Sequence, residues 1–140
     1  NMPPQDLERS VTQYSGSVAN QVIRSRRNPR VRDYPAAVVS CRMNNGNMRI
    51  YKETSGKSKP EMFEPILANA LNQLGGVGQH SGNGCPYPIG CCAEPRAANK
   101  LIHYNNHAGL NQILFSSALR PRTKQVIPYC DNCRATFPNL

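Results

Sequence analysis

The chain has no tryptophan, six tyrosines, three phenylalanines and little negative charge. So few rings limit any binding mode that depends on stacking; Tyr87, Tyr104 and Tyr129 lie nearest the motifs described below. Eight Asp and Glu stand against 17 Lys and Arg, a net charge of +9, and beyond Pro65 the acids are Glu94 and Asp131. A surface this basic points to a polyanionic partner, nucleic acid or an acidic protein, against the alternative of a solvated basic face. No stretch approaches the roughly 20 apolar residues of a membrane span. No signal peptide is recognisable. The Gly-rich stretch from Gly75 to Gly90 lacks the Lys-Ser/Thr of a phosphate-binding loop. At 140 residues the chain predicts a single domain, residues 1–140, with a real core. Its opening, Asn1-Met2-Pro3, predicts the C-terminal domain of a larger secreted protein.

Against these shortages stand six cysteines. An even number suits a disulfide scaffold in a secreted chain, but three fall in a pattern suited to a metal. Cys92, Cys130 and Cys133 offer Zn²⁺ three thiolates and leave the fourth tetrahedral position to water, as in a catalytic site. Glu94, two residues past Cys92, is placed to take a proton from that water. Cys85 and Cys91 are spare ligands or buried thiols, and Cys41 has no assigned role.

Spacing supports this placement. Ala97, Ala98, Leu101 and Ile102 predict a helix over 92–105. Pro95 is tolerable only in its first turn, so Cys92 falls at the N-terminus, where the dipole favours a thiolate. Pro128, Asp131 and Asn132 predict a second helix start at Cys130.

Elsewhere, Leu7, Val11, Tyr14, Val18 and Val22 predict a first helix from Gln5 to about Ile23. Arg24, Arg26, Arg27, Arg30 and Arg32 then form either a phosphate-contacting arm or a basic loop. Two apolar runs around Asn44-Asn45-Gly46-Asn47 predict a hairpin. Ser55 to Lys59 reads as a polar, basic loop, and 60–74 as a helix stopped by Gly75. The Gly-rich loop carries His80, Asn83, Cys85 and Tyr87 towards Cys92, so His80 and Asn83 are candidate substrate contacts. Residues 112–119 predict a central strand, with Ile113 and Phe115 on one face. Arg122, in the basic excursion before Cys130, is a further candidate contact with a substrate backbone.

The order Cys92-Ala93-Glu94, then Pro128-Tyr129-Cys130-Asp131-Asn132-Cys133, resembles the signature of the cytidine deaminase superfamily. The resemblance covers about Gly90 to Ala135. It implies an α/β fold, an α/β/α sandwich with a mixed sheet flanked by helices and zinc at two helix N-termini. Only seven residues follow Cys133, so the family's C-terminal strands are expected to be absent or reduced. The family's Pro-Cys is here Pro-Tyr-Cys, which places Tyr129 beside the expected pocket.

By the same resemblance, Cys92, Cys130 and Cys133 are zinc ligands and Glu94 is the proton shuttle. Activated water attacks C4 of cytosine, Glu94 protonates N3, and ammonia leaves. The wording Cys-Ala-Glu-Pro, with a chain ending soon after Cys-x-x-Cys, is similar to deaminase toxin domains of bacterial polymorphic toxins. That implies secretion by the producing bacterium, delivery to a target cell's cytoplasm and an acidic cognate immunity protein. Single-stranded DNA leads RNA, duplex DNA and free nucleotides as the implied substrate. Two other readings stay open: a non-enzymatic zinc module closed by Cys85 or Cys91, and a disulfide-linked basic domain.

Overall fold

In the computed structural model, which describes residues 2–82 and 85–140, the first helix, α1, spans Gln5–Ser25. Leu7, Val11 and Val18 are buried along one face, as helical spacing requires. Asp6 and Glu8 sit in the first turn and Arg24 in the last, each at the end whose partial charge it complements.

Strand β1 (Val38–Met43) is the spine, and its alternation separates two cores. Val39, Cys41 and Met43 join the larger core, which includes Ala97, Ala98, Leu101 and Ile102 of helix α3 (Ala93–Tyr104). Val38 joins Val11 and Val18 of α1 on the opposite face. Ser40 and Arg42 point the same way as Val38. Ser40 Oγ is 3.0 Å from Ser10 Oγ, and Arg42 grips Asp6 through Nε–Oδ2 at 2.7 Å and Nη2–Oδ1 at 3.2 Å. Helices therefore cover both faces of the strand.

Strand β2 (Tyr51–Thr54) pairs with β1 in the predicted hairpin, Val38 opposite Thr54 and Cys41 opposite Tyr51. The connection is a loop over 44–50 rather than a tight Asn-Gly turn. Side chains explain it: Asn45 Oδ1 accepts from the Asn47 amide and Asn47 Oδ1 from the Arg49 amide, replacing ladder bonds with local ones.

The predicted central strand is divided into β3 (Ile113–Phe115) and β4 (Ala118–Leu119), both antiparallel to β1. At the kink, Ser40 and Ser116 exchange two hydrogen bonds, amide to hydroxyl and amide to carbonyl, both 2.9 Å. The Ser117 amide leaves the ladder and donates to Glu8 Oε1 at 2.6 Å, while Tyr129 Oη donates to the Ser116 carbonyl at 2.7 Å. Beyond the kink, β4 pairs with a further strand, β5 (Val126–Ile127). The intervening Arg120–Lys124 stretch is a hairpin turn, with Lys124 at φ 65°.

The resulting five-stranded sheet is antiparallel at every pairing, which corrects the expected mixed sheet. The reason is positional. Strands β2 and β3 run parallel to each other across a helical crossover, but β1 lies between them, so no adjacent pair is parallel.

The predicted helix over 60–74 is also interrupted. Pro60–Met62 is a 3-10 turn, and α2 spans Pro65–Leu74, because a proline at the start holds Glu64 extended. Gly75 ends α2 at φ +131°, a conformation that side-chain-bearing residues rarely adopt. The last helix, α4, spans Asp131–Thr136. Phe137 behind it is fully buried, its ring 4.8 Å from that of Phe115. Among the described residues no strand follows α4, and no helix is long and apolar enough to cross a membrane. The structure pairs none of the six cysteines in a disulfide.

Replacing Glu8 by Ala removes the acceptor of the Ser117 amide at the β3–β4 kink. Urea unfolding should register a loss of about 1.5–3 kcal/mol, the usual worth of a hydrogen bond to a charged group. A loss under about 0.5 kcal/mol would show that water replaces the carboxylate.

Candidate functional site

Cys92 and Cys130 are the N-cap residues of α3 and α4, and Cys133 lies in the first turn of α4. The two helix starts converge. Cys92 Sγ is 3.4 Å from Cys130 Sγ, which is 3.6 Å from Cys133 Sγ, and the three sulfurs all lie within 4.8 Å of one another. Tetrahedral zinc with Zn–S bonds of 2.3 Å would set its sulfurs about 3.8 Å apart. Three soft donors at this spacing fit a thiophilic ion such as Zn²⁺. The cluster could hold a metal.

Glu94 lies against it. The residue is 4% exposed, and its Oε1 accepts from Cys133 Sγ at 3.8 Å. Burial pushes its pKa up to about 7, with the charge on Cys130 acting the same way. Among the thiols, the hydrogen bonds from Cys133 and Cys92 pull Cys130 well below the usual range. The reciprocal bonds raise Cys92 and Cys133. The cluster thus favours one thiolate shared by hydrogen bonds from its neighbours, at the start of α4.

A cavity of about 300 Å³ opens on this cluster. Cys92, Glu94 and Cys130 line it from the two helix starts, Ala36 and Ala37 from the approach to β1, and Ala118, Ile127 and Pro128 from the β4–β5 side. Tyr87 and Pro88 of the Gly-rich loop complete one rim, and Ser55, Gly56 and Lys57 another. The lining is mostly apolar with a few polar groups at its end, the common make-up of small-molecule sites.

The predicted substrate contacts do not gather here. His80 is exposed and Arg122 lies exposed on the β4–β5 turn; neither lines the cavity. Tyr129 is turned away, its hydroxyl held by the Ser116 carbonyl, and it borders a separate depression near the C-terminus. Asn83 lies outside the described residues. His103 pairs with Glu64 at 2.7 Å, at the far end of α3.

Of the remaining thiols, Cys41 is buried in the core, where desolvation pushes its pKa up. Cys91 lines the cavity outside the cluster. Cys85 is buried and hydrogen-bonded to Cys130.

The sequence gives no periodic signal for Ser55–Lys57 or Ala118 as lining residues, because tertiary contacts bring them there. One such contact is Arg96, two residues past Glu94. Its Nε donates to the Thr54 carbonyl and its Nη1 to the Lys57 carbonyl, both at 2.8 Å.

No family model, curated protein or solved structure matches this chain.

Two measurements test the cluster. Zinc added to chelator-treated protein should raise the unfolding midpoint, and Cys133→Ala should abolish that rise. Glu94 gives a pH signature without metal. Its folded pKa of about 7 lies above the ordinary 4.5, so the folded state favours the neutral acid. The resulting penalty is absent below pH 4.5, grows as pH rises towards 7, and is complete above it. Chelated Glu94→Gln should thus be the more stable protein at pH 8, by on the order of 3 kcal/mol, and no more stable at pH 4.

Proposed function

We propose that the chain is a zinc-dependent deaminase that converts cytosine to uracil in nucleic acid, with single-stranded DNA as the leading substrate. The observation that carries this reading is the buried Glu94, lining a cavity and touching a three-thiol cluster that offers three of zinc's usual four ligands. Zinc held by Cys92, Cys130 and Cys133 would supply activated water. Glu94 would take a proton, hold it in a water-poor site and deliver it to N3 of the base. Its pKa near neutrality suits a group that must both accept and donate.

The charge distribution favours a polymer. Exposed Arg24, Arg27, Arg30 and Arg32 run from the end of α1 towards Pro35, immediately before the Ala36 and Ala37 that line the cavity. Asp33 is the acid within this stretch, and it pairs with Arg26 at 3.8 Å. Most of the arm's charge therefore remains available for phosphates. A paired base cannot reach such a cavity without leaving the stack, which favours single strands. Within the same reading, the chain acts as an interbacterial toxin, secreted by its producer and delivered to a target cell's cytoplasm. An acidic immunity protein would cover the cavity and its basic rim.

A second reading has one observation in its favour. The contact of Cys85 with Cys130 offers a fourth sulfur, which would close the metal site and make a zinc module that binds nucleic acid without chemistry. In that case Glu94 is dispensable.

One experiment separates the two. Zinc-loaded protein is incubated with cytosine-bearing single-stranded DNA, duplex DNA and RNA, then sequenced for C-to-U changes beside Glu94→Ala. The deaminase reading expects conversion, fastest on single-stranded DNA, falling about 10²–10⁴-fold in the variant. No conversion, or equal conversion by both proteins, would overturn the assignment of Glu94.

A further inference from the structure

Among the described residues that line the cavity, Glu94 is buried at the metal cluster and Lys57 is exposed at the rim. The backbone of Lys57 is fixed. Its carbonyl accepts from Arg96 Nη1 at 2.8 Å, and Arg96 Nε holds the Thr54 carbonyl three residues earlier. Between them the Gly56 amide donates to the Cys91 carbonyl at 3.0 Å, and just beyond them Ser58 Oγ donates to the Gly90 carbonyl at 2.7 Å. The packing is close: a Cβ at Gly56 would meet the Arg96 guanidinium carbon at 3.4 Å, about contact distance. A loop with no regular structure is thus tied at four points to the segment that carries Cys91, Cys92 and Glu94.

We propose that Lys57 is the phosphate contact of this cavity, held in place by Arg96, and that it makes the site select a phosphate-bearing nucleotide over a bare nucleoside. The inference rests on the deaminase reading and adds a selectivity that the metal cluster cannot supply. A base that enters towards Glu94 leaves its sugar and phosphate at the mouth, where Lys57 is the one cation among the described lining residues. An ammonium on a flexible stem suits a phosphate met as a point charge. Arg96 donates to the Thr54 and Lys57 carbonyls and to Ser58 Oγ, so it acts through the loop and is a positioning residue. Its charge also raises the positive potential behind the rim.

The phosphate could belong to a mononucleotide or to a strand, and the test separates them. The binding arm uses zinc-loaded Glu94→Ala protein and a fluorescein-labelled, cytosine-containing single-stranded oligonucleotide, followed by anisotropy at several salt concentrations. Adding Lys57→Gln should weaken binding about threefold to tenfold and flatten the plot of log affinity against log salt by about 0.7, the share of one phosphate contact. Lys59→Gln, outside the cavity lining, should change both by less. Unchanged affinity and slope for Lys57→Gln, or an equal effect of Lys59→Gln, would overturn the proposal.

The turnover arm compares cytidine, cytidine 5′-monophosphate and the oligonucleotide with Glu94 intact. Lys57→Gln should raise KM for the phosphate-bearing substrates and leave kcat/KM for cytidine unchanged. A response to the mononucleotide assigns the contact to the target's own 5′-phosphate; a response to the oligonucleotide alone assigns it to a neighbouring phosphate. An equal loss on cytidine would overturn the proposal. Should the unmodified protein convert none of the three, the deaminase reading falls, and the binding arm still judges Lys57. For Arg96→Gln, hydrogen exchange at the Gly56 amide should quicken together with the same rise in KM. A rise in KM without faster exchange would remove the positioning role.

Discussion

Three thiols whose sulfurs lie within 4.8 Å of one another, with a carboxyl oxygen 3.8 Å from one of them, all carry negative charge when ionised, and the surrounding fold is arranged around that crowding. Groups this close cannot all ionise without a cation. The protein meets the constraint in two ways. It brings two helix N-termini to the same point, each presenting positive partial charge. It also shares protons within the cluster: hydrogen bonds from neighbouring thiols lower Cys130, the reciprocal bonds raise Cys92 and Cys133, and burial raises Glu94. A divalent ion would remove the conflict outright.

Delivering both helix starts to one place is the work of the sheet. β1 alternates so strictly that one face serves α1 and the other α3. The kink at Ser116–Ser117 then sets the course of the chain towards α4. It is held from α1 by Glu8, from β1 by Ser40, and from the approach to Cys130 by Tyr129. Tyr129 therefore serves the route to the site rather than the cavity.

Legibility in the sequence followed the range of the interactions. Helix α3 and its first turn were readable because Pro95 and the spacing of Ala97, Ala98, Leu101 and Ile102 are local facts. The convergence of Cys92 with Cys130 was readable because thiol chemistry leaves few uses for that pattern. The broken strand at Ser116 was not, because its cause is a carboxylate more than a hundred residues away. The antiparallel sheet was hidden for a similar reason: whether β1 falls between β2 and β3 depends on packing, not on periodicity. His80 and Arg122 suggested themselves by nearness in sequence to the cysteines, and the loop and turn that carry them lead elsewhere. Lys57 lay in a stretch with no pattern at all and reaches the cavity through Arg96.

Helix α4 has six residues, too few to persist on its own strength. Its anchors are Phe137 in the core and its sulfurs against Cys92, a contact that spans 38 positions of sequence. A metal bridging those sulfurs would close that span as a covalent crosslink does, removing conformations from the unfolded chain by about 4 kcal/mol on the loop-entropy scale. Unlike a covalent crosslink, it can be withdrawn by a chelator or a competing thiol. The ion would then be a reversible staple, and the folded lifetime of the C-terminal third of the chain would follow the free zinc concentration around it.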